Sequence, residues 1–226
     1  MRWIAGPLDV WPYSLARVLL MGTLALLYRV KVQGAENVPE EGSVVLASNH
    51  ISNIDPVFVG MACRRQVRFM AKVELWKFAP LGWLLQALGA FPVRRGEADR
   101  EAVRVGLNVV SQGAVLGIFP EGHRQRSGIL AQPQSGVGMF SLREGVSTVP
   151  VVVTNTNHII RNGRPGFPRV TVTFGPPLDL AAPPGFPRSE RNREASRRIM
   201  VALAGMLGQE WRQQTDSEEK RGEKAS

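Results

Sequence analysis

Ser43-Val44-Val45-Leu46-Ala47-Ser48 runs directly into Asn49-His50-Ile51-Ser52-Asn53-Ile54-Asp55-Pro56, and these fourteen residues decide how the chain folds. The unbroken apolar run 43–48 has the length of a strand buried on both faces. Asp55-Pro56 then signals a helix start, since a carboxylate can cap and proline is pre-set for the first helical position. Between them lies a short loop holding one histidine, five residues before the aspartate. If the loop turns the ring back, the carboxylate can fix the imidazole tautomer and stabilise the imidazolium, which makes a general base. The alternative is an ordinary loop histidine followed by an aspartate that only caps a helix.

Working outward, the chain alternates. Strands are expected at 43–48, 66–70, 90–93, 114–119, 148–154 and 169–174, and helices near 56–63, 73–87, 98–111, 135–144 and 189–212. Apolar strands alternating with helical segments imply an α/β fold, a mixed and mostly buried sheet flanked by helices. Segment 155–168 is rich in glycine and proline and reads as a loop or hairpin. Residues 175–188 hold five prolines and should run extended. The catalytic unit is placed at 34–212, and the polar tail 213–226 is expected to be disordered.

Residues 1–33 read as a membrane-associating motif. The uncharged run 18–27 is about half of the roughly 20 residues a bilayer crossing needs. Trp3, Trp11, Tyr13, Arg2, Arg17, Arg29 and Lys31 surround it, the aromatic and basic types that favour the membrane–water interface. Two short helices are expected, about 2–10 and 14–29, broken near Pro12 and lying in one leaflet. A core helix of a soluble protein is the alternative. Asp9 and two prolines ahead of the run, with no small-residue cleavage site after it, speak against a signal peptide.

At 226 residues with 44% hydrophobic content, one domain with a sizeable core is expected. The formal charge of +9 suits phosphate-rich partners: nucleic acid, an anionic membrane or phosphorylated metabolites. A single cysteine, Cys63, excludes an internal disulfide and a cysteine-based metal site. His50, His123 and His158 lack metal-ligand spacing, so no metal is expected, and the chain reads as cytosol-facing.

Further along, strand 114–119 stops in Phe119-Pro120-Glu121-Gly122-His123-Arg124. Ligands in α/β sheets are held on loops at strand ends. A turn at Gly122 can expose a backbone N–H to an oxyanion, and Arg124 and Arg126 can grip phosphate. Phe91-Pro92-Val93-Arg94-Arg95-Gly96 is a second strand ending in cations, and Lys72 stands at a third. Each arginine alone is most simply a solvated surface charge; together they outline a phosphate-binding rim around a base.

The order Asn49-His50…Asp55-Pro56, Phe91…Arg95-Gly96, Phe119-Pro120-Glu121-Gly122 and Val149-Pro150-Val151 closely resembles the glycerolipid acyltransferases, most of all bacterial 1-acylglycerol-3-phosphate acyltransferases. The likeness covers about 34–175. It implies His50 as base and Asp55 as its orienting partner, both part of the H-x4-D motif. It implies Lys72, Arg95 and Glu121 around the substrate phosphate, with Gly122 as a candidate oxyanion donor; Arg124, whose guanidinium can grip phosphate, is added to the phosphate set. It further implies transfer of an acyl chain from acyl-CoA or acyl carrier protein to lysophosphatidic acid, without a cofactor; with no histidine beside Cys63 in sequence and no G-x-S-x-G elbow, direct attack without an acyl-enzyme is expected. The expected location is the cytoplasmic face of the cell membrane, as a monotopic or peripheral protein.

Three positions depart from the family pattern: Arg94 replaces an acid, His123 a threonine or serine, and Gln134 a lysine. They bear on the acceptor, so glycerol-3-phosphate or another lysophospholipid stays open. A non-catalytic basic membrane-binding module is the reading from another class. Nucleic acid is disfavoured because no aromatic–basic interleaving or recognised motif occurs.

Overall fold

The structure, a computed structural model, describes residues 18–19, 22–79, 82, 85–86, 88–93, 100–134, 136–161, 163–181 and 185–212. In chain order the elements are β1 (Lys31–Gln33), β2 (Ser43–Ser48), α1 (Asp55–Ala62), β3 (Val67–Lys72), β4 (Phe91–Val93), α2 (Arg100–Ser111) and β5 (Val115–Ile118), followed by α3 (Gly136–Ser141), β6 (Val146–Thr154), β7 (Ile160–Arg161), β8 (Arg164–Pro165), β9 (Thr171–Phe174) and α4 (Arg188–Leu207). A seven-stranded sheet takes the order β1-β9-β6-β2-β5-β3-β4, and β7-β8 stands apart as a hairpin. β2 pairs in parallel with β5 on one side and β6 on the other, while β9 is antiparallel to β6. The sheet is therefore mixed, as the strand–helix alternation predicts.

Successive residues of β2 face opposite sides, and both sides are covered. Val44 and Leu46 pack with Phe58 and Val59 of α1 and with Val149, Val151 and Val153 of β6. Val45 packs with Leu116, Val110 and Phe140. Ala47 joins Ile199, Met200 and Leu203 of α4. Burying each such large side chain contributes about 1.5–3 kcal/mol, so the strand with no exposed face becomes the axis of the domain.

Several boundaries differ from the sequence expectation. β1 is an added strand; three residues on the sheet edge are too few to show a period. Helix 189–212 stops at Leu207 because Gly208, at φ 66°, turns left-handed and donates back to Ala204 and Gly205. Val73–Lys77 forms a 3-10 turn where an α-helix is expected. The 155–168 segment does form a hairpin. Asp55 does not cap α1: the N-cap is Ile54, without a side-chain cap bond, and the Asp55 carboxylate points back into the loop before the helix. Of the N-terminal segment, 22–28 is helical, whereas the expected helix 2–10 lies outside the described residues, as does the tail 213–226. No described helix is long and apolar enough to cross a membrane.

Candidate active site

β2 ends beside its parallel neighbours, so the 49–55 loop emerges at the carboxyl edge of the sheet, where ligands of open α/β folds bind. Asn49 fixes the exit. Its side chain donates to the Val153 carbonyl at 3.0 Å and accepts from the Val153 N–H at 2.8 Å, tying the loop to β6. The next residue, His50, is 5% exposed, and its Nδ1 lies 2.9 Å from Asp55 Oδ2. The same oxygen accepts the N–H groups of Ile51 and Ser52, each at 2.7 Å. Asp55 Oδ1 accepts the Thr156 hydroxyl at 2.5 Å. Four donors thus meet one buried carboxylate and fix its position, as buried polar groups require. A carboxylate facing Nδ1 selects, for the neutral ring, the tautomer that carries its proton on Nδ1 and turns the Nε2 lone pair outward. Among the described residues Nε2 has no hydrogen-bond partner.

Aromatic stacking sets the plane of the ring. Phe119 lies parallel to His50 with centroids 4.0 Å apart, and Phe69 stacks behind Phe119 at 5.6 Å. Gly117 makes this possible, since a Cβ there would clash with Phe69 Cε1.

The loop after β5 braces the back of the site. Glu121 is fully buried; one oxygen accepts the His50 N–H at 3.1 Å and the other the Ala131 N–H at 3.0 Å. Burial pushes the Glu121 carboxyl above its ordinary value of 4.5, and the two backbone N–H groups oppose that rise. The Gln125 N–H donates to the His50 carbonyl at 2.6 Å, closing a second tie between the loops.

The structure brings His50, Asp55, Glu121, Gly122 and the Arg124 turn together. Two of them do other work than the sequence implies. Both Glu121 oxygens are occupied by backbone donors inside the protein, so the carboxylate supports the histidine loop and offers no face to a phosphate. The Gly122 N–H, expected as a free oxyanion donor, is given to the Phe119 carbonyl at 3.0 Å. Arg124 is half-buried beside the histidine loop, and Lys72 is exposed at the end of β3. Arg95 lies outside the described residues, as does Arg94. Thr156 and Asn49 are the residues of this arrangement that residue-by-residue reading overlooks. Asn49 sits next to the histidine in the motif, whereas nothing in the local sequence marks Thr156.

An apolar cavity of about 100 Å³ opens next to the histidine loop at Asn53. It runs between α1, through Val57, Gly60 and Met61, and β3, through Phe69 and Met70, toward Leu85. Such a slot fits a hydrocarbon chain, since little but apolar surface lines it.

A mixed α/β sheet with an H-x4-D pair at its carboxyl edge, flanked by an apolar slot, is the class of protein this chain represents. The Acyltransferase family model matches residues 29–154, more than half of the chain, and the chain belongs to that family. It is 31% identical over 132 residues to the 1-acyl-sn-glycerol-3-phosphate acyltransferase of Borreliella burgdorferi, covering 58% of this chain and 53% of that protein. Against the Bacillus subtilis protein of the same name it is 31% identical over 113 residues, covering 50% and 57%. The chloroplastic protein LPAT1 of Arabidopsis thaliana matches at 25% over 143 residues, 62% of this chain and 40% of that one. The chain therefore spans about half the length of these relatives. The crystal structure of the 1-acyl-sn-glycerophosphate (LPA) acyltransferase PlsC from Thermotoga maritima shares the fold, with a TM-score of 0.59, 23% identity, and coverage of 85% of this chain and 82% of that one.

Proposed function

We propose that the chain is a 1-acylglycerol-3-phosphate O-acyltransferase, moving a fatty acyl group from acyl-CoA or acyl carrier protein to the sn-2 hydroxyl of lysophosphatidic acid. The observation that carries this reading is the buried His50–Asp55 pair, held in the same loop whose Asn53 lines the mouth of the apolar cavity. The names of the relatives support the same acceptor.

In this reading His50 Nε2 takes the proton of the acceptor hydroxyl as its oxygen attacks the thioester carbonyl. The new C–O bond forms as the carbonyl π electrons move to oxygen. When the carbonyl reforms, the C–S bond breaks, and the departing thiolate takes the proton back from the imidazolium. Asp55 stabilises that imidazolium. No acyl-enzyme is invoked: Cys63 is buried in the core, and Ser48 donates to the Asn49 carbonyl at 3.1 Å. The acyl chain of the donor lies in the cavity, while the acceptor phosphate sits among Lys72, Arg95 and Arg124, with Glu121 bracing from behind. The N-terminal segment seats the protein on the cytoplasmic leaflet, where acceptor and product reside.

The test is acyl transfer by purified protein over a panel of lysophosphatidic acid, glycerol-3-phosphate and neutral lysophospholipids, with both donor types. His50→Ala should lower turnover about 10²–10⁴-fold, the usual contribution of a general base. Wild-type protein that acylates glycerol-3-phosphate but not lysophosphatidic acid would overturn the acceptor; no transfer to any acceptor would overturn the reaction.

A further inference from the structure

No Asp or Glu occurs between Glu144 and Asp179, and the β7–β8 hairpin lies inside that acid-free stretch. The hairpin leaves Ile160 71% exposed and Phe167, just beyond it, 55% exposed. Arg164 and Arg169 are exposed as well, and neither has a carboxylate partner among the described residues. Single exposed apolar side chains are ordinary. These are not isolated, because the hairpin adjoins the N-terminal segment. Tyr28 packs on Phe167 with ring centroids 6.0 Å apart, and Arg29 donates to the Phe167 carbonyl at 2.9 Å. Helix 22–28 turns Leu24 and Tyr28 toward the core and leaves Leu26 82% exposed.

Position matters too. The hairpin follows Thr156, the residue that holds Asp55, so it stands on the same edge of the sheet as His50. A lipid acceptor has to arrive at that edge from a leaflet.

We propose that the β7–β8 hairpin is a second membrane contact, in which Arg164 and Arg169 meet anionic headgroups and Ile160 and Phe167 enter the interface. It rests on the reading of the N-terminal segment as interfacial and extends it to a second point, which fixes how the catalytic edge is tilted toward the leaflet. Charge complementarity alone would admit an acidic protein surface. The lipid is favoured because it accepts both halves of the patch: arginine heads in the headgroup layer and apolar side chains just beneath it. An acidic helix would leave Ile160 and Leu26 in water.

The experiment is sedimentation of the full chain with vesicles of phosphatidylcholine alone or phosphatidylcholine plus phosphatidylglycerol. Arg164→Gln/Arg169→Gln should weaken binding to the anionic vesicles about 30-fold, as expected for two arginines near such a surface, and the loss should shrink as salt is raised. Ile160→Ser should weaken binding to both vesicle types about tenfold. Leu26→Ser/Leu27→Ser reports on the N-terminal segment separately. If wild type and the Leu26/Leu27 variant differ but the hairpin variants bind like wild type, the hairpin proposal fails and the N-terminal reading stands. If wild type sediments with neither vesicle, both fail. Loss of turnover with acyl carrier protein thioesters in neutral detergent, with vesicle binding intact, would assign the patch to a protein partner and overturn the proposal. Thermal melting of each variant confirms that the fold is kept.

Discussion

Thr156 Oγ1 donates to Asp55 Oδ1 at 2.5 Å, on the carboxylate oxygen that His50 does not use. Thr156 is buried and follows Asn155, whose backbone turns left-handed at φ 68° so that β6 can end and the hydroxyl can aim inward. Asn155 is one of the few residue types that adopt this conformation at small cost. The carboxylate is therefore clamped from both sides, by its own loop and by a segment 101 residues further along the chain.

Thr156→Val removes the donor and leaves Asp55 Oδ1 unpaired in the interior, which should cost about 1–3 kcal/mol of stability in urea unfolding. Thr156 touches no reacting atom, so its effect on rate runs through the angle of Asp55. Losing about 1.4 kcal/mol of transition-state stabilisation lowers kcat about tenfold, with KM for lysophosphatidic acid unchanged. Thr156→Ser keeps the hydroxyl and should restore kcat. A Ser variant as slow as the Val variant would make the role one of packing alone.

Glu121 predicts a pH dependence of stability. Its carboxyl is raised in the folded protein by burial, so the folded state holds its proton to higher pH than the unfolded state does. That contribution is fully present below the unfolded value and is lost as pH rises through the folded one. Glu121→Gln should flatten this part of the stability curve above pH 4.5. Glu121→Ala should instead lower stability at every pH, by about 1–3 kcal/mol for each of the two N–H groups left unsatisfied. Urea midpoints across the acid and neutral range separate the two; identical curvature in wild type and the Gln variant would remove Glu121 as the cause.

Sequence made some of this legible and concealed the rest, for physical reasons. A strand covered on both faces must be apolar throughout, so 43–48 announces itself. A histidine and its orienting carboxylate lie five residues apart, across one short loop, so their spacing shows. Thr156 lies 101 residues from Asp55, and only the β2–β6 pairing brings them together. Glu121 misleads because glutamate is rarely fully buried; its two backbone partners, His50 and Ala131, are visible only once the loops have folded. Asp55 before Pro56 has the signature of a helix cap, yet stronger competition from the loop N–H groups of Ile51 and Ser52 takes the carboxylate away from the helix.

Gly122 tests whether the FPEG turn acts through its shape. It sits at φ 70°, and a Cβ there would come within 2.6 Å of Gln134 Cγ. Gly122→Ala should lose about 1–2 kcal/mol from the left-handed backbone and more from the contact. Gln134→Ala should relieve the contact but not the backbone cost, so the double variant recovers part of the loss. Additive effects in thermal melts would show that the two residues do not meet.

Gly60 controls the space along α1. It lines the apolar cavity, and a Cβ at this position meets only Phe69 Cε2 at 3.6 Å, ordinary van der Waals contact. Alanine should therefore be tolerated with little change in stability, since it also favours the helix by about 1 kcal/mol over glycine. Leucine adds three further carbons, and these have no room except in the slot. Gly60→Leu should leave turnover with short-chain thioesters near wild type, because His50 and Asp55 are untouched. With long-chain thioesters kcat/KM should fall about tenfold or more, since each methylene denied burial forfeits about 0.8 kcal/mol. An equal fall across all chain lengths would mean that the cavity does not hold the acyl chain, and the donor would have to lie elsewhere on the sheet edge.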